Sequence, residues 1–212
     1  MTRPVVAVVG MKREARIVGA RAVVCQRGMG LEEALEKGGA AVISFGLCGA
    51  LDPELKIGDL VIGEAVFDGL NRYDCDPAWT TALALGLPGA RRGLYWADGE
   101  MIATAEAKLD LLMATGAVAV DMESHLAAKV AADFGVPFAI VRAVSDTALT
   151  TIPEAARAAF APDGSIDTAA LARRLIFGGL GAFRGLIPMA RDAGRAFRAL
   201  EGAAPPLFVV TA

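Results

Sequence analysis

Histidine occurs once in this chain, at position 125. That leaves little room for a His-rich metal site or a Ser-His-Asp triad. Cysteine occurs three times, as Cys25, Cys48 and Cys75, with no CxxC pair. An odd, widely spaced set argues against a disulfide framework or a zinc site and fits a reducing cytosol. No GxGxxG, GxxxxGK[ST] or GxSxG motif is present, so a dinucleotide fingerprint, a P-loop and a nucleophile elbow are unsupported. The net charge of −3 supplies no global basic field for nucleic acid. No apolar run approaches the ~18 residues of a membrane span. The opening residues, MTRPVVAVVGMKRE, read as a first strand rather than a signal peptide.

What is present is a long apolar chain, 55% hydrophobic over 212 residues, enough for one substantial core. Its most informative stretch is Ala117–Ala148. The apolar runs Ala117–Val120 and Phe138–Val144 flank a helix-like segment from Ser124 to Phe134, stopped by Gly135 and Pro137. Asp121 and Glu123 follow the first run, and Asp146 follows the second. Strand, helix, strand with parallel strands is the expected arrangement, and such sheets bind ligands beyond their carboxyl ends. Carboxylates would then gather at one sheet edge.

The rest alternates in the same way. Strands are expected at Val5–Val9, Ala22–Cys25, Ala41–Phe45, Leu60–Gly63 and Leu94–Trp96, and helices at Lys12–Val18, Leu31–Lys37, Thr80–Leu85 and Ala103–Met113. Gly46 to Ala50 reads as a small-residue turn, and Asn71 to Pro77 as loop. Ser165 or Asp167 is placed to cap a helix over Thr168–Phe177. Residues 1–178 form one expected domain and 179–212 an extension of it. Residues 171–200 carry six arginines and one acid. They read as basic amphipathic helix broken by Gly178, Gly179, Gly181 and Pro188, suited to anionic lipid or, alternatively, to core packing and a subunit interface.

Individual residues have two readings each. Gly10, Gly28, Gly30, Gly46 and Gly49 follow strands, where glycine serves either a tight turn or close ligand approach. Glu14 opens a helix, where a carboxylate also suits the macrodipole. Asp121 and Asp146 can cap helices or line a site. Glu123 sits in an otherwise apolar Met-Glu-Ser-His segment, which favours function. His125 reads as a packing or hydrogen-bonding residue and Cys48 as a small buried one. Arg142, inside a strand, needs an acidic partner if buried, and Glu123 is a candidate.

SFGLCGALDPELKIGDLVIG (Ser44–Gly63), AVAVDMES (Ala117–Ser124) and VRAVSDTA (Val141–Ala148) resemble the purine nucleoside phosphorylase and nucleosidase superfamily in order and spacing. VVGMKREA (Val8–Ala15) and RGMG (Arg27–Gly30) resemble its methylthioadenosine/S-adenosylhomocysteine nucleosidase branch. The overall likeness is to the hopanoid-associated phosphorylase group. The resemblance implies an α/β fold, a three-layer αβα sandwich around a central mixed, partly closed β-sheet. Thirteen residues between Glu14 and Gly28 imply a reduced N-terminal hairpin.

The resemblance also implies roles. Asp146 would protonate the leaving purine, beside Ser145. Glu123 would hold the ribose hydroxyls with Met122 under the sugar. Met101 and Ile102 would contact the base, Gly46 would line the pocket, and Glu14 would activate water. Leu47 stands where relatives carry Ser or Thr. Gly10, Arg13 and Arg142 are the candidate phosphate ligands. No cofactor or metal is implied, and phosphate is a possible co-substrate. The activity implied is cleavage of a purine N-glycosidic bond by water or phosphate, with adenosylhopane giving ribosylhopane and adenine in hopanoid biosynthesis. Glu14, in place of a phosphate-binding Gly-Asp-Pro loop, tilts the balance towards water. Rival readings are a salvage phosphorylase or nucleosidase, and a non-catalytic nucleoside or lipid-precursor binder. A cytoplasmic homo-oligomer, touching the inner membrane surface through residues 179–200 if at all, completes the expectation.

Overall fold

The computed structural model describes residues 4–153 and 187–204. Eight strands are formed by Val5–Val9 (β1), Val23–Gln26 (β2), Ala41–Ala50 (β3), Leu60–Phe67 (β4), Arg72–Asp74 (β5), Arg91–Trp96 (β6), Ala119–Val120 (β7) and Phe138–Asp146 (β8). Helices are Lys12–Val18 (α1), Leu31–Glu36 (α2), Pro77–Gly86 (α3), Ala105–Thr115 (α4) and Ser124–Asp133 (α5). Residues 187–204 add α6. A single 3-10 turn, Gly19–Arg21, joins α1 to β2, so the expected hairpin is indeed reduced there.

Alternation with period two builds the layers. Val5, Ala7 and Val9 face one cluster, together with Ile43, Val141, and residues of α1, α3 and α6. Val6, Val8, Val42 and Ile140 face the opposite cluster with α2 and α5. Strands apolar on both faces are what a helix-covered sheet requires. The result is the three-layer αβα sandwich.

The sheet is mixed and closes on itself. β3 pairs with β8 in parallel, β8 with β4 antiparallel, and β4 with β6 in parallel. β6 then pairs with β7 in parallel, and β7 returns to β3 antiparallel. β1 and β2 extend the sheet from β3, and β5 from β4.

The sequence expectations are corrected in three places. β7 and β8 do not run parallel: β7 is antiparallel to β3, and β8 is parallel to it. Their carboxyl ends nonetheless meet, because Gly49 of β3 is registered with both Val120 and Asp146. Gly46 to Ala50 is strand rather than turn, paired along β8 and β7. The segment read as loop contains β5, which covers the edge of β4. The helix expected over residues 168–177 lies outside the described residues. In α6, Phe197 and Leu200 are buried in the core while Arg191, Arg195 and Arg198 are exposed. The amphipathic pattern is present, and over 196–204 its apolar face belongs to the core. Among the described residues no helix is long and apolar enough to cross a membrane.

Candidate active site

The first turn of α1 starts the site. Met11 is its N-cap and supplies no side-chain bond. Glu14 takes over that task by reaching back, as the acidic member of a capping box does. Gly10 N–H and Met11 N–H donate to its Oε2 at 2.8 Å each, and Leu47 N–H of β3 donates to its Oε1 at 2.9 Å. The side chain is buried at 1% exposure. Burial pushes its carboxyl from 4.5 up to about 7, against the opposing pull of Arg142 and the backbone donors.

Arg142 of β8 is the hub. Its guanidinium donates to Leu47 O at 2.8 Å, Ser44 Oγ at 2.7 Å and Glu123 Oε2 at 3.3 Å. Its Nε forms an ion pair with Asp121 Oδ2 at 3.2 Å. Burial works against its charge, yet Asp121, Glu123 and Glu14 together hold its pKa above the ordinary arginine value. The sequence pointed to Glu123 as its partner. Asp121 is a second partner and also does the capping considered for it: its Oδ1 accepts from Glu123 N–H at 2.8 Å and Ser124 N–H at 2.7 Å. Glu123 occupies the N-cap position of α5 without capping it. Its side chain faces Arg142 instead, and burial raises its pKa.

Asp146 ends β8 after a register shift opposite Cys48 and Gly49, which skips Ser145 and pairs Asp146 with Gly49. A bulge of this kind re-aims the side chain that follows. Ser145 Oγ donates to Asp146 Oδ1 at 2.8 Å or to Cys48 O at 3.1 Å. Lys108 of α4 grips Asp146 Oδ2.

Three glycines make this gathering sterically possible. A Cβ on Gly46 would lie 2.5 Å from Glu14 Oε1, on Gly10 2.9 Å from Glu123 Oε1, and on Gly49 3.0 Å from Asp146 Oδ2. The close approach is therefore by the protein's own carboxylates. Gly46 and Gly49 are three residues apart on β3, so Glu14 and Asp146 both press against the second half of that strand.

Other expected residues are placed as follows. Met122 lies half-buried between β7 and α5, and Met101 and Ile102 between β6 and α4. Ile102 packs against the cluster containing Val120, which borders Gly49. Gly28 and Gly30 have positive φ, and an added Cβ at either meets nothing within 4 Å among the described residues, so neither approaches a carboxylate as Gly10, Gly46 and Gly49 do. Arg13 is not drawn in: it pairs with Glu201 at 3.5 Å and stacks on Phe197 at 4.2 Å. His125 Nδ1 is buried and has no hydrogen-bond partner among the described residues. Cys48 is buried, its thiol pushed up to about 12 by burial, consistent with an inert packing residue. The described residues contain no group of His, Cys, Asp and Glu fit to hold a metal. Ser44, Ser124 and Lys108 escaped the sequence reading. None of the three carried a signal: Lys108 is one charge between Glu106 and Asp110 on α4, and the serines sit inside an apolar strand and at a helix start.

Comparison with known proteins agrees with this fold. The family described as the phosphorylase superfamily matches residues 4–176. Among solved structures, S-adenosylhomocysteine nucleosidase from Streptococcus pyogenes, in complex with 5-methylthiotubericidin, is 18% identical, with a TM-score of 0.65 over 99% of each chain. Futalosine hydrolase of Helicobacter pylori is 14% identical, with a TM-score of 0.64 over 95% of this chain and 97% of that one. The 5′-methylthioadenosine/S-adenosylhomocysteine nucleosidase of Neisseria meningitidis, in complex with methylthio-immucillin-A, is 16% identical, with a TM-score of 0.62 over 96% of this chain and all of that one. At such identities the likeness is one of fold, and the family match carries the assignment: this chain belongs to the phosphorylase superfamily and is an enzyme of its nucleoside phosphorylase and nucleosidase kind.

Proposed function

We propose that this enzyme cleaves the N-glycosidic bond of an adenine nucleoside with water rather than phosphate. The observation that carries the choice of nucleophile is Glu14. The Gly10 and Met11 N–H groups at the start of α1, and Leu47 N–H, all donate to its carboxylate. Those donors would otherwise suit an incoming anion. Arg142 is likewise engaged by Asp121 and Glu123. A phosphate entering here would meet acids and occupied donors, whereas a water molecule meets a carboxylate able to take its proton near neutral pH.

The reaction builds positive charge on the sugar and negative charge on the base, as in other glycoside cleavages. Glu123, anionic beside Arg142, would hold the ribose hydroxyls and favour the cationic sugar. Asp146 would protonate the base as it leaves. Glu14 would orient the water and accept its proton.

The same proposal extends to the substrate's 5′ side. The short Gly19–Arg21 link between α1 and β2, together with the likeness to the hopanoid-associated group, supports a bulky 5′ substituent such as the hopane of adenosylhopane. A homo-oligomer, and contact of the basic C-terminal stretch with a membrane surface, belong to that extension.

One experiment tests both parts. Purified protein is incubated with adenosine, 5′-methylthioadenosine and detergent-dispersed adenosylhopane, with and without phosphate, and adenine and the sugar product are identified. Free sugar at equal rates in both buffers is expected, with kcat/KM highest for adenosylhopane. A phosphorylated sugar formed only with phosphate overturns the hydrolytic reading. Equal turnover of adenosine and the lipid substrate overturns the 5′ reading.

A further inference from the structure

Among the described residues, Lys108 is the one charged side chain touching these carboxylates that the proposed chemistry leaves without a task. Its side chain is fully buried, which for lysine requires a partner. Its ammonium contacts Asp146 Oδ2 and donates to Thr147 O at 2.9 Å and Thr150 O at 3.2 Å. An ammonium has three protons, so each has an acceptor and none remains for a substrate. Asp146 is held asymmetrically. Oδ2 is pinned by Lys108, while Oδ1 meets only the movable Ser145 hydroxyl among the described residues. That hydroxyl has a second acceptor, Cys48 O at 3.1 Å, so it can turn away without being orphaned.

We propose that Lys108 is the positioning residue for proton transfer to the leaving base: it fixes Asp146 by Oδ2, reserves Oδ1 for the base, and offsets the carboxylate charge left once the proton has gone. The inference rests on the reading above, in which Asp146 serves the base. The step uses a proton carried at Oδ1 of Asp146, the oxygen turned away from the ammonium. The bond from the sugar to the purine nitrogen breaks, its electron pair stays on the base, and the Asp146 proton moves from Oδ1 to a ring nitrogen. The new carboxylate faces the ammonium in a water-poor setting, where such an interaction is strong. Lys108 itself gives up no proton.

The consequence is selective. A purine needs that proton to leave, but 4-nitrophenolate does not. Lys108→Met keeps the apolar stem and deletes the charge. With 5′-methylthioadenosine its kcat should fall ~10²-fold or more, while turnover of 4-nitrophenyl β-D-ribofuranoside changes by less than about threefold. KM for the purine nucleoside should stay nearly unchanged. Equal losses on both substrates would mean general damage to the fold and overturn the proposal. If the Met variant does not fold, Lys108→Ala replaces it: added ethylammonium should restore purine release and propanol should not, and rescue by neither or by both overturns the proposal. A folded wild type that releases no purine, from any of these nucleosides or from adenosylhopane, defeats the underlying reading itself. A wild type that releases purine, with a Met variant impaired equally on both probes, defeats the role of Lys108 alone.

Discussion

Glu14 has a measurable effect on stability because its carboxyl is protonated in the folded chain at pH values where the unfolded chain has released the proton. Its pKa is about 7 folded, against 4.5 for the free side chain. The stability it contributes is complete below about 4.5 and is lost as pH rises through about 7. The gap corresponds to roughly 3 kcal/mol. In urea denaturation, the wild type should therefore lose on the order of 3 kcal/mol more than Glu14→Gln between pH 4.5 and pH 8. Identical pH slopes for the two proteins would contradict the burial argument. Turnover should move the other way, kcat/KM rising through pH about 7 as Glu14 ionises, with that limb absent from the variant. At this scale the sequence was partly legible. An acid just after a first strand, and a Met-Glu pair after a later one, stand out from apolar surroundings. Lys108 did not, because one lysine between Glu106 and Asp110 looks like any solvated helix face.

At the scale of the element, β3 is the spine of the site. In its second half, Gly46 and Gly49 leave room for Glu14 and Asp146, which press against the strand there, a cause that no local propensity encodes. This is why a turn was the natural expectation: glycine promotes both. Gly46→Ala would place a methyl 2.5 Å from Glu14 Oε1 on a buried strand paired with β8. The side chain would have to leave its three N–H donors. A stability loss of ~1–3 kcal/mol is expected, with purine release down ~10²-fold from the displaced carboxylate. Gly202→Ala in α6, where an added Cβ meets no other part of the described residues within 4 Å, is the matched control. It should be neutral or stabilising by up to ~1 kcal/mol. If both variants behave alike in thermal unfolding and adenine release, the crowding account of Gly46 is wrong.

For the whole molecule, the C-terminal α6 contributes to the core as well as to the surface. Leu200 is fully buried among residues of α1, α3 and β1. Leu200→Ala should cost ~2–5 kcal/mol by denaturant titration, and a cost below ~1 kcal/mol would show that α6 is not part of the cooperative unit. The arginine-rich period of this segment was readable, but what its apolar side faced was not, since sequence periodicity is the same for a core and a lipid surface. Strand directions were hidden in the same way: β7 joins β3 across about seventy intervening residues, and strands apolar on both faces carry no mark of orientation. That closure has a consequence for biosynthesis. β8 sits between β3 and β4, yet it is made well after both. A nascent chain that has emerged only as far as Val136 has two long oily ribbons, each missing a neighbour, with bare hydrogen-bonding rims that invite another chain. A ribosomal pause that holds β8 inside the exit tunnel should therefore promote aggregation, and a pause after Asp146 has emerged should not, because β8 can then fill the gap between β3 and β4.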